Sequence, residues 1–168
     1  MSVVIERATS ADASAVLTYL AQIGGETDNL SFGAEGLPFS VESEAAYLAQ
    51  MQDSRDDIML IAKEDGRIVG TCDLHRLPRR MSHRGEISVS VLRAYWNRSI
   101  GTQLMGHILN IARDNEFGVI DLQVRSDNAA AIRLSEKYGF EKIGTHPAFF
   151  QIDGELVSFD YMCLRLGQ

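Results

Sequence analysis

Residues 86–112 read EISVSVLRAYWNRSIGTQLMGHILNIA, and a change of period inside them decides the fold. Ile87, Val89 and Val91 alternate with Glu86, Ser88 and Ser90, a period of two that predicts a strand with one buried face. From Ile100 on, the apolar residues Ile100, Leu104, Ile108 and Ile111 recur at helical spacing, and Gly118 lies just past the helix end. The segment Trp96–Gly101 must turn one into the other. A helix entered so abruptly leaves its first amides without intrahelical acceptors, all pointing one way with the positive end of the dipole behind them. That arrangement suits a pyrophosphate. Gly101 allows close approach of backbone to phosphate, and Arg98 offers a charge-assisted contact. Many strand-to-helix turns with a glycine bind nothing, so this stretch alone leaves both readings open. GxxxxGK[ST] and GxGxxG are missing from it, which disfavours a P-loop and a dinucleotide fingerprint.

A second segment, Leu122 to Phe140 (LQVRSDNAAAIRLSEKYGF), repeats the strand-to-helix logic. Asp127 or Asn128 caps an Ala-rich helix that runs to Tyr138, and Gly139 terminates it. Working outward, Val3–Arg7 is a short strand. Thr9 or Ser10 then caps a helix with Ala13, Val16, Leu17 and Leu20 on one face and Gly24-Gly25 as its stop. A polar connection from Gly24 to Ser40 is long enough to suggest a functional loop. A helix from Ser40 or Ser43 follows, with Ala45, Leu48 and Met51 as its stripe. Ile58–Lys63 and Ile68–Leu74 flank Asp65-Gly66 as a hairpin, and strands around Phe140–Gln151 and Leu156–Leu166 flank Asp153-Gly154. The order β-α-α-β-β-β-α-β-α-β-β implies an α/β fold, a mixed sheet with helices on its faces. No repeat or linker interrupts it, so residues 1–168 read as a single domain.

Apolar residues make up 45% and charged residues 23% of the 168, ordinary for a globular chain. A net charge of -7 argues against nucleic acid and is compatible with a cationic partner, although most of these charges read as a solvated surface. No apolar run approaches the ~20 residues of a membrane span, and Met1–Arg7 lacks a secretory pattern, so the expected location is the cytoplasm. Cys72 and Cys163 lie in strand-like runs and read as small core residues. The four histidines show no ligand spacing, so no metal is expected. The basic run Arg76, Arg79, Arg80 and Arg84, with His75 and His83, reads as a solvated hairpin loop or as an attractor for a phosphate or an acidic acceptor.

Taken together, the two segments resemble the GNAT superfamily of acyl-CoA N-acyltransferases. That family's phosphate turn, R/Q-x-x-G-x-G/A about five residues after a strand valine, matches Val91 and then Trp96 to Gly101 in position. Its later signature, N-x-x-A followed by Y-x-k-x-GF, resembles Asn128, Ala131, Tyr138, Gly139 and Phe140. The hairpin order upstream fits as well, so the resemblance covers essentially the whole chain. Two residues depart from the pattern. Trp96 stands where Arg or Gln is usual, and Ser99 replaces the first glycine, where its hydroxyl either donates to phosphate or weakens binding. The Tyr95-Trp96 pair is similar to the branch that acetylates protein N-termini, polyamines or amino sugars.

The resemblance implies a central mixed sheet of about 6–7 strands flanked by about 4 helices, and acetyl-CoA as co-substrate. It implies that Val89 and Val91 supply backbone hydrogen bonds to the pantetheine arm. Asn97, Arg98, Ser99, Ile100, Gly101 and Thr102 would hold the pyrophosphate, and Asn128 would touch the cofactor through its side chain. Direct attack of a neutral amine on the thioester needs a base, an oxyanion donor and a proton for the leaving thiolate. The resemblance implies Tyr138 as the acid and the backbone N–H near Val89 as the oxyanion donor. Glu86 is the candidate base; Glu26 and Asp28, in the loop over the acceptor pocket, are alternatives or would bind a cationic acceptor. The expected acceptor is a small-molecule amine. A peptide N-terminus, or acyl-CoA binding without catalysis, are the other readings, and a homodimer is the expected assembly.

Overall fold

The computed structural model describes residues 2–167. Seven strands form one mixed sheet: β1 (Val4–Arg7), β2 (Asp57–Glu64), β3 (Arg67–Arg76), β4 (Arg84–Val91), β5 (Val119–Arg125), β6 (Glu141–Ile152) and β7 (Glu155–Arg165). Their spatial order is β1-β2-β3-β4-β5-β7-β6. Only β4 and β5 run parallel, joined by the crossover helix α3 (Ile100–Asp114). The helices α1 (Ala13–Glu26) and α2 (Val41–Met51) cover one face of β1–β4; α3 and α4 (Ala129–Lys137) cover the other.

The local chemistry explains the elements. Ser40 caps α2, its Oγ accepting from the Ser43 amide at 3.1 Å, and Asn128 caps α4 by accepting from the Ala131 amide at 3.2 Å. Asp65-Gly66 and Asp153-Gly154 have both residues at positive φ, the geometry of two-residue hairpin turns. The odd residues of β4 (Ile87, Val89, Val91) pack into the core beneath α3, alongside Leu104, Met105, Ile108 and Leu109.

Two expectations are corrected. Gly24-Gly25 do not stop α1, which continues to Glu26. Their role is close packing: a Cβ on Gly24 would lie 2.1 Å from the Gly33 carbonyl oxygen, so the glycine lets residues 27–40 fold back against the helix. Cys72 is buried as expected, but Cys163 is only half-buried. Among the described residues no helix is long and apolar enough to cross a membrane.

Candidate active site

β4 and β5 pair only at Arg84↔Val119, Gly85↔Ile120 and Glu86↔Asp121, and then part. The amide of Leu92 donates to Val69 on β3 at 2.9 Å. Because backbone groups alternate sides along a strand, the even residues of β4 face β3. The N–H and C=O groups of Ile87, Val89 and Val91 therefore face the gap left by β5. The same alternation, set by the Ser126-to-Ser158 bond on the β7 side, turns the backbone of Gln123 into that gap. Val89 and Val91 thus present unladdered backbone along one wall of a cleft. At its far end the Val91 carbonyl accepts from the Trp96 indole at 2.9 Å.

The cleft ends at the turn into α3. Asn97 and Ser99 both adopt left-handed backbone, with φ of 61° and 62°, which explains why glycine suits position 99. The first helical bond runs from the Gln103 amide to the Ser99 carbonyl. The amides of Ile100, Gly101 and Thr102 are left over at the positive end of a 15-residue helix. Arg98 is not free. Its guanidinium is held by the Glu64 carboxylate of β2 and lies over the Tyr95 ring, 5.2 Å from the centroid. Arg98 in turn holds the Glu64 carboxyl below the usual carboxylate range. Asn128 likewise has its side-chain oxygen committed to the α4 cap.

A cavity of about 380 Å³ opens where the two strands separate. Glu86, Ser88 and His75 line it from β3 and β4, Gln123 and Tyr161 from β5 and β7, and Met81 from the β3–β4 loop. Glu86 is exposed at its edge. Beside it runs a polar row that the sequence reading missed. Asp73 stands opposite Ser88, with 3.5 Å between the Ser88 Oγ and the carboxylate, and Thr71 stands opposite Ser90, whose Oγ also meets the Tyr19 hydroxyl at 2.8 Å. Burial pushes the Asp73 carboxyl up to about 6, and the charge of Glu44 adds to that; His75 and the Ser88 hydroxyl pull it back. The signal in the sequence was faint: Thr71, Asp73 and His75 alternate inside an otherwise apolar strand.

The basic run divides. Arg84 binds Asp121, its Nε at 2.9 Å, and Arg76 binds Asp56 and stacks on Phe117, so both are structural. Arg79 and Arg80 are exposed. They sit at the opposite end of the 8-residue β4 from the α3 turn, roughly 25 Å away at strand rise. That distance keeps them away from the turn into α3.

The model of the acetyltransferase (GNAT) family matches residues 28–140, more than half of the chain. The chain belongs to this family. The L-amino acid N-acetyltransferase AaaT of Escherichia coli is 38% identical over 107 residues, 61% of this chain and 65% of that protein. The N-alpha-acetyltransferase RimI of Mycobacterium tuberculosis is 34% identical over 94 residues, 55% of this chain and 58% of that protein. The chain thus spans less than two thirds of either relative. The structure of yncA from Salmonella typhimurium with its cofactor acetyl-CoA superposes with a TM-score of 0.86 at 22% identity, covering 100% of this chain and 96% of that one.

Family membership sharpens the fate of the remaining candidates. Counted back from Gly139-Phe140, the tyrosine position of Y-x-k-x-GF falls on Ser135, which is buried and donates to the Ala131 carbonyl at 2.9 Å. Tyr138 lies three residues later, and its hydroxyl donates to the Thr102 carbonyl of α3 at 2.6 Å. The phenol is engaged with a helix backbone. Glu26 is also engaged: its carboxylate accepts from the Arg93 amide at 2.8 Å and from Gln22 at 3.2 Å, tying the end of α1 to the turn after β4. Asp28 stays exposed in the segment after α1.

Proposed function

We propose that this chain, as a single catalytic domain, transfers the acetyl group of acetyl-CoA to the primary amine of a small molecule. The observation that carries the reading is the parting of β4 from β5, with the backbone of Ile87, Val89 and Val91 turned into a cleft that ends on the free amides of α3. An extended chain of amides fits such a cleft as an added strand would, and a diphosphate fits the helix end. Bound there, acetyl-CoA supplies an activated acetyl thioester. Val89 and Val91 hold its arm through their backbone, and the Val89 amide serves as the oxyanion donor. The turn from Asn97 to Thr102 holds the phosphates through the amides of Ile100, Gly101 and Thr102. Arg98, fixed by Glu64, shapes that turn instead of reaching out of it. The side-chain NH₂ of Asn128, which its cap does not use, remains for the cofactor.

The acceptor enters the cavity below, where Glu86 draws in a cation and is the first base to test; Asp28, exposed after α1 and outside the cavity lining, is the alternative. Tyr138 was expected to protonate the leaving thiolate; we assign its hydroxyl instead to docking α4 on α3. A cavity of about 380 Å³ matches a small acceptor. The likeness to RimI favours a second reading, a peptide N-terminus. A homodimer remains part of the proposal, to be read from sedimentation equilibrium.

The test is acetyl transfer from acetyl-CoA across a panel of amino acids, diamines, amino sugars and short peptides. Products are weighed by mass spectrometry, because a thiol dye would also react with the half-buried Cys163. Turnover of one small amine class supports the reading, and turnover of peptides alone replaces it with the second. Tight CoA binding without turnover of any amine would reduce the protein to a binding module.

A further inference from the structure

We propose that Asp73 receives the acceptor's ammonium proton through the hydroxyl of Ser88. The inference rests on the acetyl-transfer reading and deepens it by naming the route by which the amine becomes a nucleophile. Ser88 lines the cavity and Asp73 stands directly across the β3–β4 ladder from it, with both side chains on the α1/α2 face. Their oxygens are 3.5 Å apart, the outer limit of a hydrogen bond, and such contacts tighten when substrate binds. The step balances. An N–H proton of the ammonium passes to the Ser88 Oγ as the Ser88 hydroxyl proton passes to the Asp73 carboxylate. The nitrogen keeps the bonding pair as its lone pair, the serine is regenerated, and Asp73 ends neutral.

Glu86 is nearer the opening, but the surroundings of Asp73 suit a base better. His75 and Cys72 on β3, Glu44 and Tyr47 on α2 and Tyr19 on α1 are the ionisable groups that meet it, with Glu86 on β4 and Asp57 on β2 set against His75. Glu44 is only 7% exposed, and among the described residues its carboxyl has no hydrogen-bond or ion-pair partner. Burial raises Glu44 in its own right. Burial lifts Asp73 to about 6, His75 and Ser88 lower it only in part, and the charge of Glu44 adds a smaller upward push. A base of that strength is mostly ionised at neutral pH yet still holds a proton well, as general-base catalysis needs.

Two arms test this. In the free protein, the carboxyl carbon of Asp73 is titrated by NMR. Its midpoint should fall near 6, move to lower pH in Glu44→Gln, and move to higher pH in Ser88→Ala. In the kinetic arm, kcat/KM should rise with pH through the same midpoint, and Glu44→Gln should shift that limb acidward. Asp73→Asn should abolish the limb and lower kcat about a hundredfold while leaving the KM for acetyl-CoA within about twofold. An ordinary carboxylate midpoint that neither variant moves overturns the proposal, as does a limb that survives in Asp73→Asn and vanishes in Glu86→Gln. Absence of turnover with every amine would sink the acetyl-transfer reading, and the NMR arm would still decide whether Ser88, Asp73 and Glu44 act on one proton.

Discussion

Tyr138 sits where two local choices meet: its hydroxyl reaches the Thr102 carbonyl, and Gly106 leaves room for it, since a Cβ there would lie 3.1 Å from the phenol oxygen. The bond joins the end of α4 to the first turn of α3, the helix whose start is proposed to hold the phosphates. Tyr138→Phe should therefore cost about 1 kcal/mol of stability, a fall in Tm of roughly 2–4 °C for a chain of this size. A thiolate of ordinary basicity, near ~8.5, finds its proton in water at neutral pH, so the same variant should keep kcat within about tenfold of the wild type. Differential scanning calorimetry and steady-state kinetics check the two halves. A loss of a hundredfold or more in kcat with unchanged Tm would return the phenol to the role of acid.

At the scale of elements, the turn before α3 combines two left-handed residues with a helix start, and Ser99 bears strain that glycine would not. Ser99→Gly should raise stability by about 1 kcal/mol, since the left-handed conformation costs an L-residue roughly that much. Urea unfolding checks it, and an unchanged midpoint would mean that the Ser99 side chain compensates. Gly24→Ala should act in the opposite direction by about 1–3 kcal/mol, because its Cβ meets the Gly33 carbonyl and the segment packed on α1 must lift. Protease nicking within residues 27–40 should rise with it. The strands and helices themselves were legible because each carries its own period and punctuation. The helix-start end of the cleft was legible too, since an abrupt helix start is a local pattern, whereas the parting of β4 from β5 was implied only by the family resemblance. What stayed hidden is non-local. Nothing near Arg98 announces Glu64, 34 residues away; Glu26 gives no sign of Arg93; and Asp73 sits in a strand whose apolar residues dominate its reading. For Tyr138 the contact that the sequence does not announce is the Thr102 carbonyl, 36 residues away, which its hydroxyl meets.

Over the whole molecule, acids of two kinds set the pH dependence of stability, and they oppose one another. Glu64, held low by Arg98, and Asp160, held low by Ser126 and then by Thr145 and Lys142, stabilise the fold above the ordinary carboxylate range. That contribution is lost as pH falls through their depressed folded values. Asp73 does the reverse. Unfolded, it titrates near ~3.9; folded, it titrates at about 6. Between those values the folded protein holds a proton that the unfolded chain has released, so stability declines as pH rises through that window and stays lower above it. Asp73→Asn should therefore be more stable than the wild type at pH 7, on the order of 1–2 kcal/mol, and should lose that advantage below about pH 4, where both states of the wild type are protonated. Urea midpoints at neutral and acid pH measure it. A gain that persists unchanged at acid pH would mean that the substitution improves packing and that ionisation is not the cause. A gain confined to neutral pH would mean that the fold tolerates a destabilising charge beside the cavity, the trade expected if Asp73 is kept ionised there for the proposed proton transfer.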